Sequence, residues 1–352
     1  PMCPSQLTIP KLHQTLKDPN IQPLIYGGKG VGSQGDGSIQ FLAKDAECQE
    51  KLHAYLAEHG MRPYMLTINP IRSVRKAIIP VAGFGPRRYP ATRMLKKDFF
   101  PIVDKDGRVK PVVLILLEEL LQSGIEEVCI VLGSEEERQQ YRDFFETRLS
   151  DEQMSKLNAK SLEYEEHILD IGKHRTFVYQ EEKRGFGHAV YQCASFANNE
   201  PVLLLLGDTL YKSYTNKSCS QQLIELYEKY NKPMVSIHEI PLNMVSRYGI
   251  ITGNWENASE TIMKMSRICA KPTSYYSQEH LGVMNRSGKK AYYSVFGQYI
   301  LTKEVFDQLQ QDIEKAQDSN KEIELTSALE AVRKQIGMVA VRLNGKMYDM
   351  GN

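Results

Sequence analysis

The feature that most constrains this chain is an alternation of short apolar runs with helical segments between residues 76 and 208. Buried strands are predicted at "KAIIPVAG", "EEVCIVLG", "TFVYQ" and "PVLLLLGD", and helices at "PVVLILLEELLQSG", around residues 135–149 and at "GHAVYQCASFA". Apolar strands that alternate with helices are typical of a parallel sheet covered on both faces. The sequence therefore predicts an α/β domain with a mostly parallel sheet.

Two further segments flank this alternation. After residue 208 the pattern is more mixed, with helices at "SCSQQLIELYEKYN" and "EIELTSALEAVRKQIG" and strands at "PMVSIHEI", "GIITGN", "TIMKMSRIC", "AYYSVFGQYIL" and "MVAVRLNG". Before residue 73, a glycine-rich stretch precedes "SIQFLAKD", a helix over residues 47–59 and a strand at "RPYMLTI". We therefore predict a small α+β unit over residues 1–72 and a second domain over residues 73–352.

Composition excludes several classes of protein. The chain has 352 residues, of which 41% are hydrophobic and 25% charged, which is typical of a folded globular protein. The 44 basic and 43 acidic residues nearly cancel, so no overall field favours nucleic acid or an anionic membrane. The six cysteines include no CxxC pair, and no apolar run is long enough to span a bilayer. We expect a cytoplasmic protein with neither a nucleic-acid nor a membrane partner.

A glycine-rich loop with many cations follows the first buried strand. Gly83 and Gly85 in "GFGPRRYPATRMLKK" lack side chains, so backbone N–H groups there can approach an anion. Five cations follow within twelve residues of Gly85: Arg87, Arg88, Arg93, Lys96 and Lys97. The pattern is neither a Walker loop nor a complete dinucleotide fingerprint. It indicates a polyphosphate site; the alternative is a tight turn with solvent-facing cations.

Two aspartates follow predicted strands. Asp208 in "LLGDTL" ends an apolar strand, at the carboxyl end where open α/β sheets bind ligands. A carboxylate there suits Mg²⁺, although a helix N-cap is the alternative. Asp349 in "GKMYDMGN" is a second carboxylate after a strand, and by itself it would be interpreted as a turn residue.

These motifs, in this order, resemble the sugar-1-phosphate nucleotidylyltransferases, and most closely their bacterial UTP-glucose-1-phosphate uridylyltransferase branch. The resemblance runs from about residue 76 to the end, through "PVAGFGPRRYPATRMLKKDFFPIVDK", "YQEEKRGFGHAVYQC", "LLLLGDTL", "SRYGII", "AKP", "EIELT" and "GKMYDMGN". It implies a Rossmann-like, mixed α/β nucleotidyltransferase domain. It also implies an enzyme that uses Mg²⁺ to transfer a uridylyl group from UTP to a sugar 1-phosphate, giving a UDP-sugar and pyrophosphate.

The resemblance also assigns roles to individual residues. It makes Lys97 the catalytic lysine and Arg87 the arginine of the signature loop, and it makes Asp208 and Asp349 the magnesium ligands. The nucleotide would contact Ala82, Gly83, Gly85, Asp98, Gln180 and Gly185, and the sugar phosphate would contact Gly249 and Lys271. The nucleophile of this reaction is already ionised at neutral pH, so we expect no acid or base role for His188.

Two departures from the family pattern leave alternatives open. Pro86 replaces a threonine of the phosphate loop, which removes a hydroxyl and a backbone N–H, and Ala270 replaces the glutamate of the sugar-side "EKP" motif. The alternatives are a thymidylyltransferase that uses dTTP and a non-catalytic protein that binds nucleotide sugars. "GFGHAV" favours UTP, and the retained Lys97, Asp208 and Asp349 favour catalysis.

The ends of the chain add two expectations. "YGGKGVGSQGDGSIQFLAKD" is similar to the third glycine-rich motif of the galactokinase and mevalonate kinase type (GHMP) of small-molecule kinases. This similarity implies that the first unit is the tail of a sugar kinase fused upstream of the second domain, and that the unit has no working ATP site. The alternative is that the unit is a remnant retained as a packing module. Relatives of the second domain continue beyond the position of Asp349, so we expect its C-terminal element to be truncated. Whether the protein forms a homo-oligomer is left open by the sequence.

Overall fold

The chain forms two compact units. A computed structural model describes residues 10–31, 38–64, 73–83, 89–316 and 321–350. The units are Pro1–Ile71 and Arg72–Asn352. Within the described ranges, no helix is both long enough and apolar enough to cross a membrane.

The first unit packs helices against a two-stranded antiparallel ribbon. Its elements are α1 (Pro10–Leu16), β1 (Ile25–Val31), β2 (Ser38–Ala43) and α2 (Ala46–Glu58). Ile21, Ile25, Leu52 and Leu56 form its small buried core. Asp45 caps α2, because its carboxylate accepts a hydrogen bond from the backbone N–H of Cys48 at 2.7 Å.

Two segments of this unit differ from the sequence prediction. The glycine-rich stretch begins as a strand, β1, which pairs antiparallel with β2. In the strand predicted at "RPYMLTI", residues 62–64 form neither helix nor strand, and residues 65–68 lie outside the described part of the chain.

The second unit contains most of the regular structure. Its strands are β3 (Lys76–Pro80), β4 (Pro101–Val103), β5 (Val109–Pro111), β6 (Glu127–Leu132), β7 (Arg175–Tyr179), β8 (Val202–Leu205), β9 (Thr209–Ser213), β10 (Met234–Ile240), β11 (Gly249–Trp255), β12 (Ile262–Ala270), β13 (Val283–Met284), β14 (Lys290–Leu301), β15 (Val339–Arg342) and β16 (Gly345–Asp349). Its helices are α3 (Val112–Gln122), α4 (Arg138–Phe145), α5 (Asp151–Met154), α6 (Ala159–Gly172), α7 (Phe186–Tyr191), α8 (Ala194–Ala197), α9 (Cys219–Tyr230), α10 (Ser274–His280), α11 (Lys303–Lys315) and α12 (Leu325–Ile336).

One mixed sheet organises this unit. Its strand order is β10-β15-β12-β11-β14-β8-β3-β6-β7, and β13 pairs with β14. The four strands β8, β3, β6 and β7 run parallel, whereas β14 joins β8 antiparallel and begins the mixed half. Two ribbons, β4–β5 and β9–β16, lie outside the sheet. The prediction of a mixed α/β fold is confirmed. The expected predominance of parallel pairing holds for β8, β3, β6 and β7 but not for the other half of the sheet, because β14 and most of the strands beyond it pair antiparallel.

Both faces of the sheet are buried, as the apolar strands predict. Along β3, Ala77 and Ile79 face one core cluster while Ile78 faces the other, because successive side chains of a strand point to opposite faces. Helices α3 and α9 contribute to the first cluster, and α7, α11 and α12 contribute to the second. The sequence prediction missed α11.

Candidate active site

Several predicted site residues lie at one edge of the sheet. Gly83, Gln180 and Asp208 follow β3, β7 and β8 respectively. These three strands belong to the parallel part of the sheet, so their carboxyl ends meet at the same edge. Open α/β sheets bind their ligands at that edge. The fold therefore brings Gly83 and Asp208, which lie more than a hundred positions apart in the sequence, to the same edge.

Lys97 and Asp208 form an ion pair at this edge. Lys97 begins a short 3-10 turn, Lys97–Phe99, and its Nζ lies 2.9 Å from Oδ2 of Asp208. The two side chains are 14% and 28% exposed, so the pair is partly shielded from water but still reachable. A Cβ placed on Gly83 would lie 3.7 Å from the same Nζ, so the loop glycine adjoins the lysine.

Gly207 allows Asp208 to sit against the end of β3. A Cβ at residue 207 would lie 2.4 Å from Cγ1 of Val81 and 2.9 Å from the carbonyl oxygen of Pro80. Real side chains do not approach this closely, so only glycine fits between the two strand ends. The sequence prediction missed this residue, although a glycine directly before a strand-end aspartate was a usable signal.

Asp349 is brought beside Asp208 by the β9–β16 ribbon. Asp349 is the cross-strand partner of Thr209, and the backbone N–H of Met350 donates to the carbonyl oxygen of Asp208 at 2.7 Å. Both aspartates are half-buried. Two carboxylates on adjacent backbone suit Mg²⁺, which typically takes one or two carboxylates together with phosphate oxygens and water. Among the described residues, no group of three or more His, Cys, Asp or Glu side chains could hold an ion.

Gln180 lies at the end of β7 with its amide fixed in orientation. The side chain is 6% exposed, and Nε2 donates to the carbonyl oxygen of Gly185 at 2.9 Å. Nε2 also lies 3.2 Å from Nδ1 of His188. Because a carbonyl can only accept, the NH₂ group must face Gly185, which leaves Oε1 as the acceptor of this amide.

Gly185 turns the chain into α7 in a conformation that favours glycine. Its φ is +102°, and a Cβ there would lie 2.7 Å from the carbonyl oxygen of Ile323. That same carbonyl accepts a hydrogen bond from the backbone N–H of Gly187 at 2.8 Å. The segment before α12 therefore supports the turn that follows Gln180. Ile323 belongs to the motif "EIELT" but was not among the predicted site residues.

His188 is held as a half-buried ring beside this turn. Burial lowers its pKa, and the nearby charge of Arg184 adds to the effect. The shift favours the neutral ring at neutral pH.

The predicted sugar-phosphate residues meet at the end of the β11–β12 pair. Gly249 is the cross-strand partner of Ala270, and Lys271 follows with φ +42° and an exposed side chain. A Cβ on Gly249 would lie 3.3 Å from Cγ2 of Val295. Val295 is on β14, three residues before Gln298, which pairs with Leu205 of β8. Because β14 runs antiparallel to β8, the end of the β11–β12 pair beside Val295 lies at the same edge of the sheet as Asp208, which follows β8.

The side chain of Asp98 lies in the protein interior, whereas that of Lys97 is partly exposed. We expected it near the nucleoside, but its carboxyl is fully buried and accepts a hydrogen bond from the hydroxyl of Tyr141. Burial raises the pKa of Asp98, opposed by the charge of Lys96 and by the bond from Tyr141. The reason for the difference is α4, whose Tyr141 reaches the carboxylate from the interior.

The remaining predicted residues divide between described and undescribed segments. Ala82 is half-buried directly before Gly83, where the chain leaves β3. Gly85, Pro86 and Arg87 lie outside the described residues, and their predicted roles stay predictions.

Comparison with known proteins assigns the family. The sequence profile of the nucleotidyl transferase family matches residues 76–352. The chain belongs to the nucleotidyl transferase family. As a member of that family it is an enzyme, a nucleotidyltransferase. The match starts at residue 76, so the kinase-tail resemblance of the first unit stays a prediction.

Two curated relatives are similar over most of the chain. The UTP–glucose-1-phosphate uridylyltransferase of Staphylococcus haemolyticus (strain JCSC1435) is 31% identical over 283 residues, which cover 80% of this chain and 89% of that protein. The UTP–glucose-1-phosphate uridylyltransferase 1 of Streptococcus pyogenes serotype M3 is 32% identical over 284 residues, 79% of this chain and 85% of its own.

Solved structures agree with this assignment. The crystal structure of an apo UDP-glucose pyrophosphorylase superposes with a TM-score of 0.66 at 30% identity, covering 79% of this chain and 94% of that one. A UDP-glucose pyrophosphorylase complexed with UDP-glucose gives a TM-score of 0.62 at 28% identity with the same coverage.

Proposed function

We propose that this chain transfers a uridylyl group from UTP to a sugar 1-phosphate in a Mg²⁺-dependent reaction that releases pyrophosphate. The observation that carries the proposal is the partly shielded Lys97–Asp208 pair beside Gly83, with Asp349 on the adjoining strand. Cationic and carboxylate groups converge there at the edge where such sheets bind ligands. The names of the curated relatives support UTP and a sugar 1-phosphate as the substrates.

The reaction requires alignment and charge neutralisation rather than proton transfer. An oxygen of the sugar 1-phosphate attacks the α-phosphorus of UTP, the bond from that phosphorus to the bridging oxygen breaks, and pyrophosphate leaves with the electron pair. The attacking oxygen is already ionised at neutral pH. The protein must therefore hold two anions in line and stabilise the charge that builds on the leaving group.

The cations of the site supply that stabilisation. Lys97 begins paired with Asp208 and would turn its ammonium toward the departing phosphates, together with Arg87. Lys271 would hold the phosphate of the sugar at the other end of the site. Mg²⁺ held by Asp208 and Asp349 would supply further neutralisation of the phosphate charge.

Gln180 would select the base. Its Oε1 is left as an acceptor because its NH₂ group is directed at Gly185. Uracil presents an N–H donor at N3, whereas cytosine presents an acceptor at the same position. An amide that can only accept there would favour uracil over cytosine, because the wrong base leaves two acceptors facing each other. Thymine has the same N–H group, so this residue does not separate UTP from dTTP.

The experiment is a substrate panel. Pyrophosphate release is measured with UTP, dTTP and CTP against glucose, galactose and glucuronic acid 1-phosphates, and the products are identified by mass spectrometry. We expect UTP to give the highest kcat/KM and a UDP-sugar as the product. A preference for dTTP would support the thymidylyltransferase alternative instead. Tight binding of a UDP-sugar without turnover of any pair would support a non-catalytic binding protein.

A further inference from the structure

Helix α4 holds the turn that presents Lys97. The hydroxyl of Tyr141 donates to Oδ2 of Asp98, and the Tyr141 ring packs edge-on against Phe99 with centroids 4.9 Å apart. The ammonium of Lys96 lies 5.7 Å from the centroid of the same ring. Residues 96, 98 and 99 therefore all contact one tyrosine, whereas Lys97 points the other way, to Asp208.

The bond from Tyr141 is important because Asp98 is buried. The carboxyl is fully inaccessible to solvent, and among the described residues its Oδ1 has no hydrogen-bond partner. A buried acceptor that loses a partner is strongly unfavourable, so removal of the hydroxyl should shift the turn until Asp98 finds another donor or water. Tyr141 is itself fully buried, so it cannot readily follow such a shift.

A second contact fixes the same turn from α4's amino end. Glu137 pairs with Lys96 through Oε2 and Nζ at 2.5 Å and also accepts the backbone N–H of Gly133 at 3.0 Å. The turn is thus anchored at Lys96 and at Asp98, the residues on either side of Lys97. Because a misplacement of about 1 Å can cost about 100-fold in rate, such anchoring matters for an ammonium that must meet a leaving group.

We propose that Tyr141 is a positioning residue for nucleotidyl transfer, acting through Asp98 to fix the position of Lys97. The inference rests on the proposed function, in which Lys97 stabilises the leaving pyrophosphate. In the proposed reaction Tyr141 contacts no reacting group. Its contribution is to hold the 3-10 turn in one place.

Tyr141→Phe is the primary test, because it removes the hydroxyl and keeps the ring against Phe99. We expect kcat for UDP-sugar formation to fall at least about 10-fold, while the Kd for UTP measured by calorimetry changes less than about 2-fold. Tyr164→Phe is the matched control: it removes a hydroxyl on α6 that donates to the carboxylate of Glu118 at 2.6 Å rather than to a residue of the Lys97–Phe99 turn. It should leave kcat within about 2-fold.

A double-substitution cycle distinguishes positioning from general damage. If Tyr141 acts through Lys97, Tyr141→Phe should change kcat less than about 2-fold in a Lys97→Ala background, because residues that act as a unit are not additive. An equal loss in both backgrounds would overturn the inference. If Lys97→Ala alone leaves kcat unchanged, the proposed role of Lys97 fails, which is a separate outcome.

Asp98→Asn provides a second variant if Tyr141→Phe unfolds. It keeps an acceptor oxygen for the hydroxyl of Tyr141 while removing the charge, so a positioning role predicts kcat within about 5-fold of the unmodified protein. A loss as large as that of Lys97→Ala, in a variant with an unchanged unfolding curve, would mean that the Asp98 charge itself acts on the substrate. That result would contradict the positioning role.

Discussion

The ammonium of Lys97 lies 2.9 Å from Oδ2 of Asp208, and this contact joins residues 111 positions apart. One comes from a turn after the glycine-rich loop, and the other follows the central strand β8. In the free protein each therefore neutralises the other. In the proposed reaction, bound polyphosphate would draw the ammonium to its own oxygens and leave the carboxylate to a divalent cation.

Asp208→Asn tests the carboxylate side of this pair. The substitution keeps the shape of the side chain but removes its charge, so turnover should fall at least about 100-fold, the typical effect of losing one preorganised charge contact. Steady-state pyrophosphate release at saturating Mg²⁺ measures it. Asp143→Asn is the control. Asp143 lies on α4, and among the described residues its carboxylate is hydrogen-bonded only to Gln139. Near-normal turnover of Asp208→Asn would remove Asp208 from the metal site.

Lys97→Ala tests the cationic side. Its charge should matter most as negative charge builds on the leaving pyrophosphate, so kcat should fall at least about 100-fold while the Kd for UTP rises less than about 10-fold. Calorimetry gives the Kd independently of turnover. Lys303→Ala changes an exposed lysine that pairs with Asp307 and should alter neither quantity. A variant that only loses UTP affinity would make Lys97 a ground-state anchor.

Ala270→Glu tests how the sugar is recognised. Ala270 lies between Gly249 across the strand pair and Lys271 beside it, so a glutamate there would add an acceptor for sugar hydroxyls next to the phosphate-binding lysine. We expect the preference for glucose 1-phosphate over galactose 1-phosphate, as a ratio of kcat/KM values, to rise about 10-fold or more. Ala270→Gln adds the same length without charge and should give a smaller rise. Strict glucose preference in the unmodified protein would show that another residue already fills this role.

Gly207→Ala tests the close approach that places Asp208. The added Cβ would meet Val81 and the backbone of Pro80, so the variant should lose about 1–3 kcal/mol of unfolding free energy, typical of overpacking, and should also lose activity. Urea unfolding measures the stability. Gly83→Ala is the stability control, since its Cβ would meet only Nζ of Lys97 among the described residues, at an ordinary 3.7 Å. Equal stability of the two variants would show that the turn at residue 207 has room to relax.

The parallel half of the sheet was predictable because its strands are apolar on both faces. Ile78 and Ile79 are both fully buried although they point to opposite sides, which is the pattern a continuous apolar run predicts. The mixed half gave weaker signals, and helix α11 (Lys303–Lys315) was missed there. Strand β1 (Ile25–Val31) was also missed, because four of its seven residues are Gly or Lys, which have low strand propensity.

The candidate site could be predicted only in part from residue type and position. Asp208 was predicted from its place after an apolar strand, whereas Gly185, which has a positive φ and no room for a side chain, was predicted only through the family resemblance. The contact between Tyr141 and Asp98 has no recognisable signal in the sequence. Tyr141 occupies an apolar position of α4 beside Phe145, and a buried aromatic residue there predicts only packing. Which polar group meets its hydroxyl depends on how the helix packs against a turn some forty residues earlier.

The most direct test of the proposed activity follows the label of UTP through one turnover. UTP labelled with ³²P at the α-phosphate is incubated with the protein, Mg²⁺ and a sugar 1-phosphate, and a parallel reaction carries the label at the γ-phosphate. Attack at the α-phosphorus predicts that the α-label moves into a UDP-sugar and the γ-label into pyrophosphate, and that both transfers are at least about 100-fold slower in Asp208→Asn. Release of the γ-label as inorganic phosphate, or no transfer of the α-label with any sugar 1-phosphate, would contradict uridylyl transfer at this site.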